Sequence, residues 1–347
     1  MIPFHVGISD DMKDESGAWR YKDFDITPLE EEPNLEWSFV PAGDEMVGSD
    51  LENADALILL IPRFCPNSVP VNKRLALIAR CGVGYDTVDQ STCTENAIAL
   101  TNTPDAVRRP VAVAILTLML SLTSKLFLKD KLTRKGPEGW DQRSQHMGCG
   151  LIGRTLGSLG LGSIGSEMFR LAQGFEMRFI ANDPFIDQAR GPQLGVEMVD
   201  VETLFREADI LCVNCDLNDT SQGLVNARLL GLMKPTAYFI NTARGPIMDQ
   251  AAVTQALQEC RIAGAGLDVF QQEPTAADDP LLHLDNVIVS PHGLAFTDQL
   301  FAGIGQSVVQ SVLDVKRGQV PKNVVNQDVF QNPEWQAKLT HYRNQVG

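Results

Sequence analysis

A glycine triplet and a few separated polar side chains carry the chemistry this sequence offers. Gly160, Gly162 and Gly165 spell G-x-G-x-x-G in "GSLGLGSIGSEMF", with Ser163 and Ile164 inside the motif. An apolar run, "TLGSLG", precedes it, and the motif opens a segment with helical spacing, "SIGSEMFRLAQ". In that setting the first glycine allows a tight turn and the second lets the backbone approach a pyrophosphate. The third lets the helix lie close on a sheet, and the helix N-terminus favours the anion. The next apolar run ends in "NDP", which puts Asp183 where a carboxylate accepts hydrogen bonds from an adenine ribose. A carboxylate there repels a 2'-phosphate, so NAD is expected over NADP.

Three more segments each end an apolar run with a polar group. "YFINTARGP" brings Arg244, "GLDVFQQEP" brings Asp268 and Glu273, and "VIVSPHGLAF" brings His292, one of five histidines. Ligands of open α/β sheets bind outside the carboxyl ends of the strands. All three segments therefore deliver charge to the edge that holds the glycine loop. Arginine grips a carboxylate through paired hydrogen bonds. Histidine exchanges a proton near neutral pH. A glutamate beside it favours the imidazolium and fixes the tautomer.

The elements that must position these groups alternate along the chain. Apolar runs in the first hundred residues ("FHVGI", "LEWSFV", "ADALILLI", "RLALIARCG", "AIALTN") and again from 155 ("TLGSLG", "MRFIAND", "ADILCVN", "AYFINT", "IAGAGLDV", "NVIVS") are separated mostly by helical segments. Such alternation means parallel strands covered on both faces. The fold class is α/β, with two doubly wound parallel-sheet domains. A Rossmann cofactor domain, 103–296, is expected to be inserted into a flavodoxin-like substrate domain built from 1–102 and 297–347. "PDAVRRPVAVAILTLMLSLTSKLFLKDKL" reads as one long helix, and 134–150 as a loop. The tail from 297 returns to helical spacing and should pack on the N-terminal domain. Its last twenty residues are polar and are expected to carry little function.

Composition excludes several partners. The chain has 347 residues, 44% of them hydrophobic, and a formal net charge of -15. That field repels nucleic acid and anionic membranes, and a small anionic substrate needs locally placed arginines. "VAVAILTLMLSL", 111–122, is too short to span a bilayer and reads as a buried or interface helix. The N-terminus lacks the pattern of a signal peptide. Seven scattered cysteines then fit reduced thiols in a cytoplasm. Cys212 and Cys215 form a lone C-x-x-C at the end of an apolar run, which argues against a metal or redox site.

The chain resembles the D-isomer-specific 2-hydroxyacid dehydrogenase family. The resemblance runs through "RCGVGYDTVD", "NTPD", "GLGSIG", "NTARGPIMD", "LDVFQQEP" and "SPHGLAFTD", in that order. It implies NAD(P)-dependent hydride transfer between a 2-oxo acid and a D-2-hydroxy acid, in a homodimer whose dimer element is the long helix after 105. The family's catalytic arginine, glutamate and histidine fall on Arg244, Glu273 and His292. Its nicotinamide-facing aspartate falls on Asp268, and its carboxylate-binding backbone loop on Val83 and Gly84. Thr242, Ala243 and Arg108 join the candidate cofactor contacts. The pattern departs at Val113, where a glutamate is common, and at Gly293, Leu294 and Phe296, where small residues are usual. "IPRFCPNS" offers Arg63 and Phe64 to the substrate. With Phe296, Arg108 and Arg109, these suggest a pocket with an apolar wall and an extra cation. Alternatives are an NAD(H)-sensing binding protein of the corepressor type and a dehydrogenase of another small anion. Glu273 argues against formate, because formate dehydrogenases of this fold pair the histidine with glutamine. A phosphoglycerate dehydrogenase role is a further alternative, with no regulatory domain expected.

Overall fold

The computed structural model describes residues 3 to 346. The chain divides into two compact units, Met1–Val107 with Phe296–Gly347, and Arg108–Ala295. The division falls inside the helix Pro104–Ser124.

The first unit is built on β1 (Phe4–Ser9), β2 (Leu35–Val40), β3 (Ala56–Leu59), β4 (Leu77–Arg80) and β5 (Ala99–Thr101). They pair in the order β2-β1-β3-β4-β5, all parallel. This is the flavodoxin-like order. Every residue of β3 is fully buried, as expected for a strand covered on both faces. Phe64 is also fully buried, in this unit's core, so it does not wall a pocket. Its aromatic character signals packing here, which residue type alone does not reveal.

The polar tail does more than the sequence suggested. Trp335, Leu339 and Tyr342, on the helix Pro333–Val346, are buried, Trp335 completely. The Trp335 indole donates to the Ala76 carbonyl at 3.1 Å. The Tyr342 hydroxyl donates to Asp55 Oδ1 at 2.9 Å, and Arg74 grips the same carboxylate from Nε at 2.8 Å. Three apolar positions among polar ones are enough to bury one face of a helix.

The second unit carries β6 (Thr155–Leu159), β7 (Arg178–Asn182), β8 (Glu197–Met198), β9 (Ile210–Val213), β10 (Tyr238–Asn241), β11 (Gly264–Leu267) and β12 (Val287–Val289). Their order, β12-β11-β10-β9-β6-β7-β8, is the Rossmann order with one more parallel strand. The edge strand β8 has two residues and gave no sequence signal. The expected long helix is broken at Lys125, whose φ of 56° ends Pro104–Ser124 before a second helix, Leu126–Arg134. The expected loop beyond it contains a short helix, Pro137–Asp141. Pro104–Ser124 is long and apolar enough to cross a membrane, but 56% of its apolar window is buried inside the protein. Ile115, Leu118, Met119 and Leu122 share a core with Leu156, Ile210 and Ile240 of the sheet, which accounts for the helix's apolar character.

Replacing Trp335 with alanine should cost the first unit about 3–5 kcal/mol in chemical denaturation. Tyr342→Phe, which removes one hydroxyl bond, should cost about 1–3 kcal/mol.

Candidate active site

One register row of the second sheet sets the geometry. Asn182, Leu159, Val213, Asn241, Leu267 and Val289 are paired side by side across β7, β6, β9, β10, β11 and β12. The residues that follow them are Asp183, Gly160, Asn214, Thr242, Asp268 and Ser290. Nearly every polar candidate of this unit leaves the sheet at this row or just beyond it, along its carboxyl edge.

The glycine loop is tightly built. Gly160 has φ +98°, and a Cβ there would lie 2.6 Å from the Cys215 nitrogen, so both turn and space exclude a side chain. At Gly165 a Cβ would lie 2.7 Å from the Gly160 carbonyl oxygen, which lets the helix Ser163–Ala172 sit close. Gly162 faces open space. Polar side chains fix the loop from beneath. Asn214 Nδ2 donates to Ser158 Oγ at 2.8 Å, and Ser158 Oγ donates to the Gly160 carbonyl at 2.6 Å. Asp183 Oδ2 accepts from the Leu161 N–H at 2.8 Å and Oδ1 from the Phe185 N–H at 3.1 Å. Thr242 Oγ1 and Asn214 Oδ1 are buried with no hydrogen-bond partner among the described residues. Open backbone at Gly162, crowding at its neighbours and two orphaned polar atoms along the same edge fit a dinucleotide. Ser158 and Asn214 had escaped sequence reasoning; a polar residue within or just after an apolar strand was the available signal.

Farther along the same edge, beyond β9 and β10, the turns after β11 and β12 bring a histidine and a glutamate together. His292 Nδ1 lies 2.7 Å from Glu273 Oε2, and Glu273 Oε1 accepts the Phe270 N–H at 2.9 Å. Partial burial pushes the Glu273 carboxyl up. The hydrogen bond and charge of His292, the Phe270 N–H and the Arg244 charge outweigh it, so the carboxyl ends below the usual glutamate range. The stability this carboxylate contributes is present above that range and lost as pH falls through the lowered value. An ionised carboxylate only accepts, so Nδ1 is the donor. No hydrogen bond from Nε2 to a described residue is present.

Asp268 is turned to the histidine loop. Its carboxylate is nearly fully buried and accepts from Ser290 Oγ at 2.7 Å, the Gly293 N–H at 3.0 Å and the Leu294 N–H at 3.1 Å. Its carbonyl accepts the His292 N–H at 2.8 Å. His292 itself has φ 50°, in the left-handed region. Arg244 is held in the turn after β10: its Nη1 donates to the Ala243 carbonyl at 2.8 Å, and its carbonyl accepts Asn241 Nδ2 at 3.0 Å. Asn241 Oδ1 in turn accepts the Ala243 N–H at 3.0 Å, a buried positioning role not anticipated.

The other candidates are placed as follows. Arg109 pairs with Glu167 Oε1 at 2.7 Å, so it is not a spare cation. Arg170, with Arg109 beside it, holds the Glu167 carboxyl down at about 2. Arg108 and Val113 are exposed on the helix Pro104–Ser124. In the first unit, Val83 and Gly84 follow β4, and the Val83 carbonyl accepts Asn102 Nδ2 at 2.9 Å. Arg63 is exposed, its main chain paired with Asp44 and Met46. Phe296 is half exposed and meets Phe301 edge-on, while Phe301 stacks on Tyr21 at 3.8 Å between ring centroids. Cys212 is fully buried, and burial pushes its thiol up; burial also pushes Cys215 up to about 12.

Comparison with known proteins agrees with this architecture. Residues 116–293 match the D-isomer specific 2-hydroxyacid dehydrogenase, NAD binding domain. The chain is 34% identical over 292 residues to a glyoxylate reductase of Korarchaeum cryptofilum, covering 83% of this chain and 88% of that one. It is 34% identical over 254 residues to a D-3-phosphoglycerate dehydrogenase of Archaeoglobus fulgidus, covering 73% of this chain but only 48% of that protein. The crystal structure of an NADPH-dependent glyoxylate/hydroxypyruvate reductase from Sinorhizobium meliloti superposes with a TM-score of 0.76 at 26% identity, covering 94% and 98% of the two chains. The chain belongs to the D-isomer specific 2-hydroxyacid dehydrogenase family, and its cofactor is NAD(H).

Two outcomes follow from the geometry. Gly160→Ala should weaken NADH binding at least tenfold in fluorescence titration. Glu273→Gln removes the carboxylate that accepts from Nδ1, so kcat should fall by roughly tenfold or more with NADH affinity kept; an unchanged kcat would leave Glu273 without a part in turnover.

Proposed function

We propose that this enzyme reduces a small 2-oxo acid to the D-2-hydroxy acid, and oxidises the product in reverse, with His292 as the general acid/base. The observation that carries the reading is the 2.7 Å contact between His292 Nδ1 and Glu273, which leaves Nε2 for substrate. The bound nicotinamide supplies or accepts the hydride. Arg244 holds the substrate carboxylate and stabilises negative charge growing on the reacting oxygen. His292 gives its Nε2 proton to that oxygen in reduction and takes it back in oxidation. Glu273 keeps the imidazole oriented by accepting from Nδ1. Val83 and Gly84 are assigned carboxylate-binding amides, an assignment that rests on the motif. Thr242, Ala243 and the Ser163–Ile164 backbone are assigned to the cofactor, Thr242 on the strength of its orphaned hydroxyl. Asp183 is assigned the ribose and a preference for NAD. Asp268 serves the cofactor side mainly through the loop it pins.

Glyoxylate-like acids are the favoured substrates, supported by the names of the archaeal relatives. A homodimer is supported by apolar side chains exposed in one stretch of the second unit, among them Phe127, Trp140 and Ile152. Seven free thiols suit a reducing cytoplasm.

NADH oxidation should be followed at 340 nm against glyoxylate, hydroxypyruvate, pyruvate, phenylpyruvate, oxaloacetate and 2-oxoglutarate. Turnover is expected on the smallest acids. His292→Ala should lower kcat by about 10²–10⁴-fold with NADH affinity kept. Tight NADH binding with no turnover on any acid would contradict the reading. In sedimentation the protein should run as two chains, and Trp140→Glu should shift it toward one.

A further inference from the structure

The segment after Asp183 carries an arginine that the catalytic reading does not use. "DPFIDQAR" is folded back by its own hydrogen bonds. The Phe185 N–H donates to Asp183 Oδ1, Gln188 Nε2 to the Asp183 carbonyl at 2.9 Å, the Ala189 N–H to Asp187 Oδ1 at 2.9 Å and the Arg190 N–H to the Asp187 carbonyl at 3.0 Å. The reversal lays Arg190 on the first turn of the helix Ser163–Ala172, where its Nη2 donates to Ser166 Oγ at 3.0 Å. The Ser166 N–H in turn donates to the Gly162 carbonyl at 3.1 Å. Arg190 is thus tied through one serine to the open residue of the glycine loop.

Its charge state of affairs differs from that of its neighbours. Arg109 and Arg170 are taken by Glu167, Arg178 by Glu197 and Glu207, and Arg206 and Arg228 by Glu202. Arg190 is exposed, and among the described residues no carboxylate pairs with it. In a chain with 44 acidic and 29 basic side chains, a cation set against a neutral hydroxyl beside an anion-binding helix start calls for a ligand. A guanidinium has five N–H donors, of which the serine uses one.

We propose that Arg190 donates to a phosphate of the bound dinucleotide, from its place against Ser166 on the first turn after the glycine loop. Ser166 holds the guanidinium in place before the cofactor arrives, so less side-chain freedom is lost on binding. The phosphate is either the pyrophosphate common to both nicotinamide cofactors or the 2'-phosphate of NADP(H). The two are separable.

The test is the Kd of NADH and of NADPH for the wild type and Arg190→Gln, read by fluorescence titration at low and high salt. Arg190→Gln should weaken binding by roughly tenfold or more at low salt, with a flatter salt dependence. An equal loss for both cofactors identifies the pyrophosphate, and a loss confined to NADPH identifies the 2'-phosphate. Unchanged affinity for both, in a variant that melts like the wild type, overturns the proposal. Ser166→Ala, which keeps the charge but frees the guanidinium, should show a smaller loss. Arg190→Lys, a point charge without the fork, should recover part of it.

Discussion

The buried Asp268 carboxylate is the constraint on which the carboxyl edge of the second sheet depends. It accepts hydrogen bonds from Ser290, Gly293 and Leu294, and its carbonyl accepts the His292 N–H. A buried carboxylate is costly unless its lone pairs are filled, and here one loop fills them. The same bonds hold His292 in a left-handed backbone conformation that only a firmly tied loop sustains. The imidazole is thereby delivered to Glu273.

Sheet register carries this local order across the unit. Because β10, β11 and β12 end in one row, the turn bearing Arg244, the anchor Asp268 and the loop bearing His292 emerge beside one another. The same row extends through β9 to β6 and β7, where the glycine loop and Asp183 begin. Parallel strands all point their carboxyl ends one way, so a single edge collects groups from distant parts of the chain. The glycine loop and the His292–Glu273 pair are therefore parts of one construction.

Much of this was legible in the sequence, and the reasons differ by residue. The two parallel sheets follow from short apolar runs separated by helices, a signal that averages over many residues. The glycine loop follows from a motif whose spacing is set by one turn and one close approach, and Gly160 and Gly165 show both. His292, Glu273 and Arg244 were recognisable as a set at strand ends. Side-chain direction was not legible. Phe64 looked like a pocket wall and is core; Arg109 looked like a spare cation and is paired with Glu167. The last twenty residues looked idle because polar residues dominate them, yet Trp335 and Tyr342 bury one helix face. Lys125 breaks the long helix through a left-handed backbone that lysine does not announce. Composition reports what a segment contains, whereas these outcomes depend on which neighbour each side chain meets.

The proton relay is tested most directly by the tautomer of His292. Long-range ¹H–¹⁵N NMR of the labelled protein, recorded across pH, distinguishes a proton on Nδ1 from one on Nε2. An ionised Glu273 2.7 Å from Nδ1 requires that nitrogen to stay protonated in the neutral ring. The account predicts that Nδ1–H persists while Nε2 alone gains and loses its proton. A neutral imidazole carrying its proton on Nε2 would contradict it, because that nitrogen could not then accept a proton from a hydroxy acid.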